Sequence, residues 1–432
     1  MRFDTLQEWL DWQETLHPVS IELKLERVAA VADALRLRDH CPTTLTIAGT
    51  NGKGTVATVL SALLHAMGYR VGTYTSPHLL RYNERVAIDG QPVGDADLCA
   101  AFAAADAARG EHTLTYFEFG TLAALWLFQR ENVDFQVLEV GLGGRLDAVN
   151  VWDPDVAVIT SVDLDHEQWL GPDRESIGRE KAGILRAGRP AVLGEEAPPD
   201  SVLEVARMRG AEVFRQGRDF ALVPGQETLQ WFWAGSPTRL DIRPDPSFGL
   251  EGARLANVAT ALAVVQVLGL SSKLNTAILE QGLLAAPAGR LQTIPGAPGW
   301  VLDVAHNAQS AGELARWLGA HPVPGPTVAI VAIMADKRRA PMWELLGAHI
   351  DGWVTTPIPS ARALSAEALA SELRTAGFGS VAVTDNPAAA MQLAPKQAGS
   401  EGRVLVFGSF LTVQAVLERW PSENGQAEAS VA

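Results

Sequence analysis

The stretch Thr43-Thr44-Leu45-Thr46-Ile47-Ala48-Gly49-Thr50-Asn51-Gly52-Lys53-Gly54-Thr55 constrains the chain most, because a β-prone run enters a glycine-rich turn and then a helical pattern. Glycines let the backbone fold back so that several N–H groups face one point. The helix that follows offers its positive end, and Lys53 adds a full charge. Such a cradle suits a string of phosphates, and Thr55 brings a hydroxyl for a magnesium ion. The usual spacing has glycine at 47 and a hydroxyl residue at 54. Here Ile47 and Gly54 stand there and the hydroxyl arrives one residue late. The expectation is a variant P-loop in which Thr50, Asn51, Gly52, Lys53, Gly54 and Thr55 meet a nucleotide.

A chain of 432 residues exceeds what one core organises, so two cores are expected. Helical patterns cover residues 4–15 and 22–37, with Ser20 read as the N-cap of the second. After the P-loop helix, strands are expected at 70–75, 134–140 and 155–161, and helices at 94–109, 116–131 and from 173. Segments near 219–223, 229–234 and 238–243 read as a small antiparallel patch, followed by helices at 251–268 and 274–284. Beyond a joint at 285–290, strands at 299–303, 327–332, 351–355, 380–383 and 403–407 alternate with helices near 309–319, 341–348, 365–375, 387–394 and 411–420. The fold class is α/β. A P-loop domain over 1–285 has a mostly parallel sheet plus the antiparallel patch, a Rossmann-like α/β domain covers 286–420, and 421–432 is read as a disordered tail.

Polar residues gather where these strands end, which is where open α/β sheets bind ligands. The second strand finishes in Ser76-Pro77-His78, the third carries Glu139, and the fourth runs into Asp163-Leu164-Asp165-His166. A carboxylate at the end of a buried strand is costly unless paired or metal-bound, so Glu139 is a candidate for magnesium. His166 reads as a metal or phosphate ligand. Lys181, on the helix after 173, reads locally as part of a solvated face.

A net charge of −15 argues against a protein that embraces nucleic acid, since phosphate neutralisation needs a basic surface. No run of eighteen apolar residues and no amino-terminal signal pattern is present, which implies a cytoplasmic protein without a membrane partner. Cys41 and Cys99 form no Cys-x-x-Cys pair, and two thiols in so long a chain read as reduced core residues rather than a disulfide.

Taken together, Gly49 to Thr55, Ser76-Pro77-His78, Glu139 to Ala148 and Leu302-Asp303-Val304-Ala305-His306-Asn307 resemble the folylpolyglutamate synthases of the Mur ligase superfamily. The likeness runs from about Ser20 to Leu417. It is nearest to the bacterial bifunctional branch through Leu114 to Phe119 and Trp169 to Gly183. The resemblance implies an ATP-dependent ligase that activates a carboxylate as an acyl phosphate and passes it to L-glutamate, with dihydropteroate and reduced folates as substrates. It implies two magnesium ions, with Ser76, Glu139 and His166 as ligands and Lys181 as a carboxylated lysine. Lys53, His166 and Lys181 are then the catalytic set. Asn257, Arg290 and Asp303 match nucleotide contacts, and Ser20, Ile21, Glu22 and Leu23 with Thr115, Tyr116, Phe117 and Glu118 match pterin-holding segments. Glu22 stands where the family has Asp. A monomer is expected. A synthase lacking the dihydropteroate activity, a P-loop kinase or NTPase, and a nucleotide-gated binding module remain open beside this reading.

Overall fold

The computed structural model describes residues 2–39, 41–224, 228–233, 236–239 and 251–420. The chain divides into two compact units, Met1–Ala286 and Pro287–Ala432. The expected tail at 421–432 lies outside the described residues.

In the first unit, β1 (Thr43–Ala48), β2 (Val71–Tyr74), β3 (Val86–Ile88), β4 (Gln91–Pro92), β5 (Phe135–Glu139), β6 (Val156–Ile159), β7 (Pro190–Leu193) and β8 (Glu212–Arg215) form one sheet. Their order is β4-β3-β2-β5-β1-β6-β7-β8. The six strands from β2 to β8 along this order run parallel, and β3 and β4 add an antiparallel edge. The central strands are apolar on both faces because helices cover both. Leu45, Ile47, Val137 and Val158 join the core under helices Lys53–Ala66 and Gly252–Val267. Ala48, Leu138 and Ile159 face the opposite core, with helices Leu6–Leu16, Asp95–Arg109 and Tyr116–Arg130.

The β3–β4 hairpin was not anticipated from sequence. Its strands have only three and two residues, too few for periodicity to register, but the Asp89-Gly90 turn between them is a short-range hairpin signal, with φ of 55° and 78°. A second departure is at Ser20. It caps no helix: the helix starts at Glu26 with Leu25 in the cap position and no side-chain cap bond, so the expected 22–37 shortens to Glu26–Ala34. The reason is that Glu22 is engaged by His17, Lys24 and Arg27, which holds residues 17–25 in an irregular turn.

A three-stranded antiparallel sheet, β9 (Phe220–Pro224), β10 (Leu229–Trp233) and β11 (Ser236–Arg239), follows in order β11-β10-β9. Positions 240–243 of the expected third strand lie outside the described residues.

The second unit holds β12 (Gln292–Ile294), β13 (Gly299–Leu302), β14 (Thr327–Val331), β15 (Gly352–Thr355), β16 (Val381–Val383) and β17 (Arg403–Phe407), in order β12-β13-β17-β14-β15-β16. Five strands are parallel, and the unforeseen β12 pairs antiparallel at the edge. Its core gathers Ala329, Val331, Trp353, Leu405 and Phe407 with helices Ala308–Ala320, Ala340–Leu346 and Ala366–Thr375. No helix among the described residues is long and apolar enough to cross a membrane.

Candidate active site

The P-loop leaves β1 at Gly49 and enters the helix at Lys53. Gly52 is the N-cap, with φ of 86°, and a Cβ there would lie 2.4 Å from Asn257 Oδ1. At Gly49, with φ of 154°, a Cβ would lie 1.8 Å from Thr160 Oγ1. Both positions therefore require glycine for backbone conformation and for space. The same contact places Asn257, from helix Gly252–Val267, directly against the loop.

The loop is pinned to the segment after β6. Thr50 N–H donates to the Ser161 carbonyl at 2.7 Å, and Thr50 Oγ1 donates to the Asp163 carbonyl at 3.0 Å while accepting from Asp163 N–H at 2.9 Å. Thr160 Oγ1 donates to the Asn51 carbonyl at 2.6 Å. Lys53 Nζ donates to the Gly49 and Thr50 carbonyls at 3.1 and 3.2 Å, so its charge sits over the cradle. Thr55 is buried in the first turn of the helix. A loop fixed this way, with an inward-turned backbone and one ammonium, fits a polyphosphate.

Lys181 corrects the local reading of a solvated face. It is 3% exposed, and its Nζ donates to the Gly49 carbonyl at 2.8 Å. Burial, reinforced by the Lys53 charge, lowers its pKa to about 7, against the pull of Asp165 and Asp147. The helical pattern alone could not find this, because four of the other seven residues of Arg174–Lys181 are charged.

Glu139 ends β5 beside β1 and is 3% exposed; its Oε2 accepts from Ser76 N–H at 3.0 Å. Ser76 and Glu139 are therefore brought together. His166 has φ of 52°, and its N–H donates to Asp165 Oδ1 at 2.8 Å. Among the described residues no three His, Cys, Asp or Glu side chains gather as a metal cluster. The oxygen donors here, the Glu139 carboxylate and the Ser76 hydroxyl, suit a hard divalent ion, and a Lys181 that loses its proton near neutrality suits carboxylation.

Asp147 lies in the stretch Glu139 to Ala148 but was not singled out from the sequence as a functional residue. It is buried, accepts from Leu142 N–H at 2.9 Å and Val149 N–H at 3.1 Å, and burial pushes its pKa up to about 7. The signal was available as Asp followed by a short helical turn, which Asp147 caps. Nearby, Arg85 Nε donates to His78 Nδ1 at 2.8 Å, and its guanidinium lies over the rings of Tyr82 and Tyr116.

The two segments matched to pterin are joined by one arginine. Arg27 contacts Glu22 with one guanidinium nitrogen and Glu118 Oε1 with the other, the latter at 2.8 Å. Glu118 Oε2 accepts from Thr115 N–H, closing a capping box on helix Tyr116–Arg130. Phe117 packs on Gly141, where a Cβ would lie 2.7 Å from the ring. Among the described residues, Ser20, Ile21 and Leu23 make no side-chain hydrogen bond or ion pair that bears on the site.

In the second unit, Asp303 follows β13 and accepts from Leu291 N–H at 2.8 Å and Ala305 N–H at 2.7 Å, with burial raising its pKa. Arg290 lies 5.6 Å over the Phe410 ring.

A P-loop α/β unit followed by a Rossmann-like α/β unit, with an acid and a buried lysine at the cradle, defines an ATP-dependent ligase of the Mur type. The Mur ligase middle domain matches residues 47–207, and the Mur ligase glutamate ligase domain matches 289–410. The chain is 42% identical over 414 residues to the dihydrofolate synthase/folylpolyglutamate synthase of Escherichia coli K12, covering 96% of this chain and 95% of that one. Among solved structures, FolC of E. coli in complex with DHPP and ADP is 40% identical, with a TM-score of 0.89 and coverage of 97% and 98%. A bifunctional folylpolyglutamate synthase/dihydrofolate synthase with Mn, AMPPNP and L-glutamate bound is 42% identical, with a TM-score of 0.87 and coverage of 96% and 98%. The chain belongs to the dihydrofolate synthase/folylpolyglutamate synthase family of Mur ligases.

Proposed function

We propose that this protein adds L-glutamate to dihydropteroate and to reduced folates, driven by ATP. The observation that carries the reading is the buried Lys181 on the Gly49 carbonyl, which sets a second basic group beside Lys53 at the mouth of the P-loop. Relatives solved with DHPP and ADP, and with AMPPNP and L-glutamate, support the substrates.

A carboxylate is a poor acyl donor. Its oxygen attacks the γ-phosphorus, ADP departs, and the resulting acyl phosphate has a leaving group worth attacking. The glutamate amino nitrogen then takes the acyl carbon, phosphate leaves, and the nitrogen sheds its proton. Thr50, Asn51, Gly52, Lys53, Gly54 and Thr55 hold the phosphates, and Lys53 offsets the charge on the transferred group. Asn257, Arg290 and Asp303 are assigned as nucleotide contacts. Ser76, Glu139 and His166 would hold one magnesium ion and a carboxylated Lys181 a second, adding positive charge at the transferred phosphoryl. Thr115 to Glu118 and Ser20 to Leu23 frame the pterin. We assign carboxylate activation to residues 1–285 and glutamate transfer to 286–420, acting as a monomer in the cytoplasm.

ADP release from purified protein, with dihydropteroate or tetrahydrofolate and with or without L-glutamate, tests this. Release that depends on both the pterin substrate and glutamate is expected, and release without glutamate would overturn the ligase reading. Activity on tetrahydrofolate alone would reduce the assignment to a folylpolyglutamate synthase.

A further inference from the structure

The wall that pins the P-loop is itself clasped from outside. Val162, between the two residues that bind Thr50, donates its N–H to Glu195 Oε1 at 3.1 Å. Arg174 Nε donates to the Val162 carbonyl at 2.8 Å, and its Nη2 reaches Glu195 Oε2 at 3.1 Å and the Ala197 carbonyl at 3.3 Å. Both backbone polar groups of Val162 are thus held by one ion pair. Glu195 lies just past the end of β7, and Arg174 opens the short helix that ends at Lys181. The closed set runs from Arg174 and Glu195 through Val162 to Ser161 and Asp163, and from these to the Thr50 N–H and hydroxyl.

We propose that Glu195 and Arg174 are positioning residues for the nucleotide: they fix the Ser161–Asp163 wall that holds Thr50, and through it the shape of the phosphate cradle. The inference rests on the reading of that cradle as the ATP site. Neither residue needs to touch nucleotide to act. A side chain that merely stabilised the fold would have the same effect on affinity whatever its own charge. Here the clasp depends on the charge of Glu195, whose pKa burial pushes up to about 7 against the pull of Arg174 and the Val162 N–H, with the Asp163 carboxylate adding to the rise. Arg174 and Asp163 are the charged groups that face it.

The test is the affinity of the full-length protein for a non-hydrolysable ATP analogue with magnesium, measured by calorimetry at pH 6 and pH 8. Glu195→Gln is neutral at both pH values and keeps an oxygen for the Val162 N–H. It should weaken binding about fivefold at pH 8, where Glu195 is ionised, and by less than about twofold at pH 6, where it is mostly protonated. Arg174→Ala should weaken binding at pH 8, with Arg174→Lys restoring it only in part because the fork is lost. An equal ratio of Glu195→Gln to unaltered protein at both pH values, or unchanged affinity in Arg174→Ala, overturns the proposal. If the unaltered protein binds no analogue, the nucleotide reading fails and this inference with it. If it binds analogue but releases no glutamate-dependent ADP, the reaction fails while this inference stands.

Discussion

Lys181 Nζ donates to the backbone carbonyl of Gly49 at 2.8 Å, with the side chain 3% exposed. The contact joins the end of one helix to the first residue of the phosphate cradle, across 132 positions of chain. A lysine in this setting is half-neutral near pH 7 rather than fully charged, because burial and Lys53 both disfavour its proton. A neutral amine can add to carbon dioxide: the C–N bond forms, the nitrogen loses one proton to solvent, and the side chain becomes an anionic oxygen donor.

Lys181→Ala should therefore lower kcat by on the order of 10²–10³, the scale of losing one preorganised charge at a reacting group. Short carboxylic acids such as acetate should restore part of it by occupying the vacated space. No rescue by any acid, together with no mass increase of one carbon dioxide in the intact protein, would leave Lys181 as a structural cation.

Gly52→Ala should abolish ATP-analogue binding with little change in the rest of the fold. The position has φ of 86°, which costs a non-glycine residue roughly 1–2 kcal/mol, and the new methyl would meet the Asn257 amide. The double variant Gly52→Ala with Asn257→Ala relieves the overlap but leaves the backbone strain, so recovery should be partial. Calorimetric titration of both variants checks this, and wild-type affinity in Gly52→Ala would contradict it.

Arg27→Ala leaves the Glu118 carboxylate, 4% exposed at its side chain, with its guanidinium partner gone. Breaking a buried pair on one side costs roughly 3 kcal/mol, read as a lower urea midpoint. The KM for pterin substrates should rise while the KM for ATP stays near that of the unaltered protein. Equal changes in both would mean that Arg27 serves the whole unit rather than the two segments it joins.

His78 gives a pH signature of stability. Burial and the Arg85 guanidinium depress its pKa from the ordinary 6.5 to about 4. The unfolded chain then takes up a proton before the folded one does, so stability present above pH 6.5 is lost as pH falls toward 4. His78→Gln, which still offers an acceptor to Arg85 Nε, should unfold with a shallower pH dependence over that window. An identical slope in both proteins would contradict the assignment.

The parallel sheet, the P-loop and both α/β halves were legible because long buried strands and glycine turns write themselves locally: Thr43 to Ala48 cannot be a surface helix, and Gly52-Lys53 cannot be an ordinary strand. Lys181 and Asp147 were not legible from local pattern, since burial of a charge depends on what folds over it from far away. Ser20 misled because a capping residue ahead of acids looks the same whether a helix follows at once or, as here, only after Glu22 has been drawn aside by His17, Lys24 and Arg27. The resemblance to a family carried Lys181 further than the residues could. Asn257 gained a physical reason only when Gly52 was found against it.

The most direct test of the account is a crystal structure with an ATP analogue, magnesium and a pteroate substrate. The γ-phosphorus should lie at the carboxyl edge of the first sheet beside Lys53, with a magnesium ion about 2.1 Å from oxygens of Ser76 and Glu139. A triphosphate bound elsewhere, with Ser76, Glu139 and His166 remote from the γ-phosphorus, would contradict it.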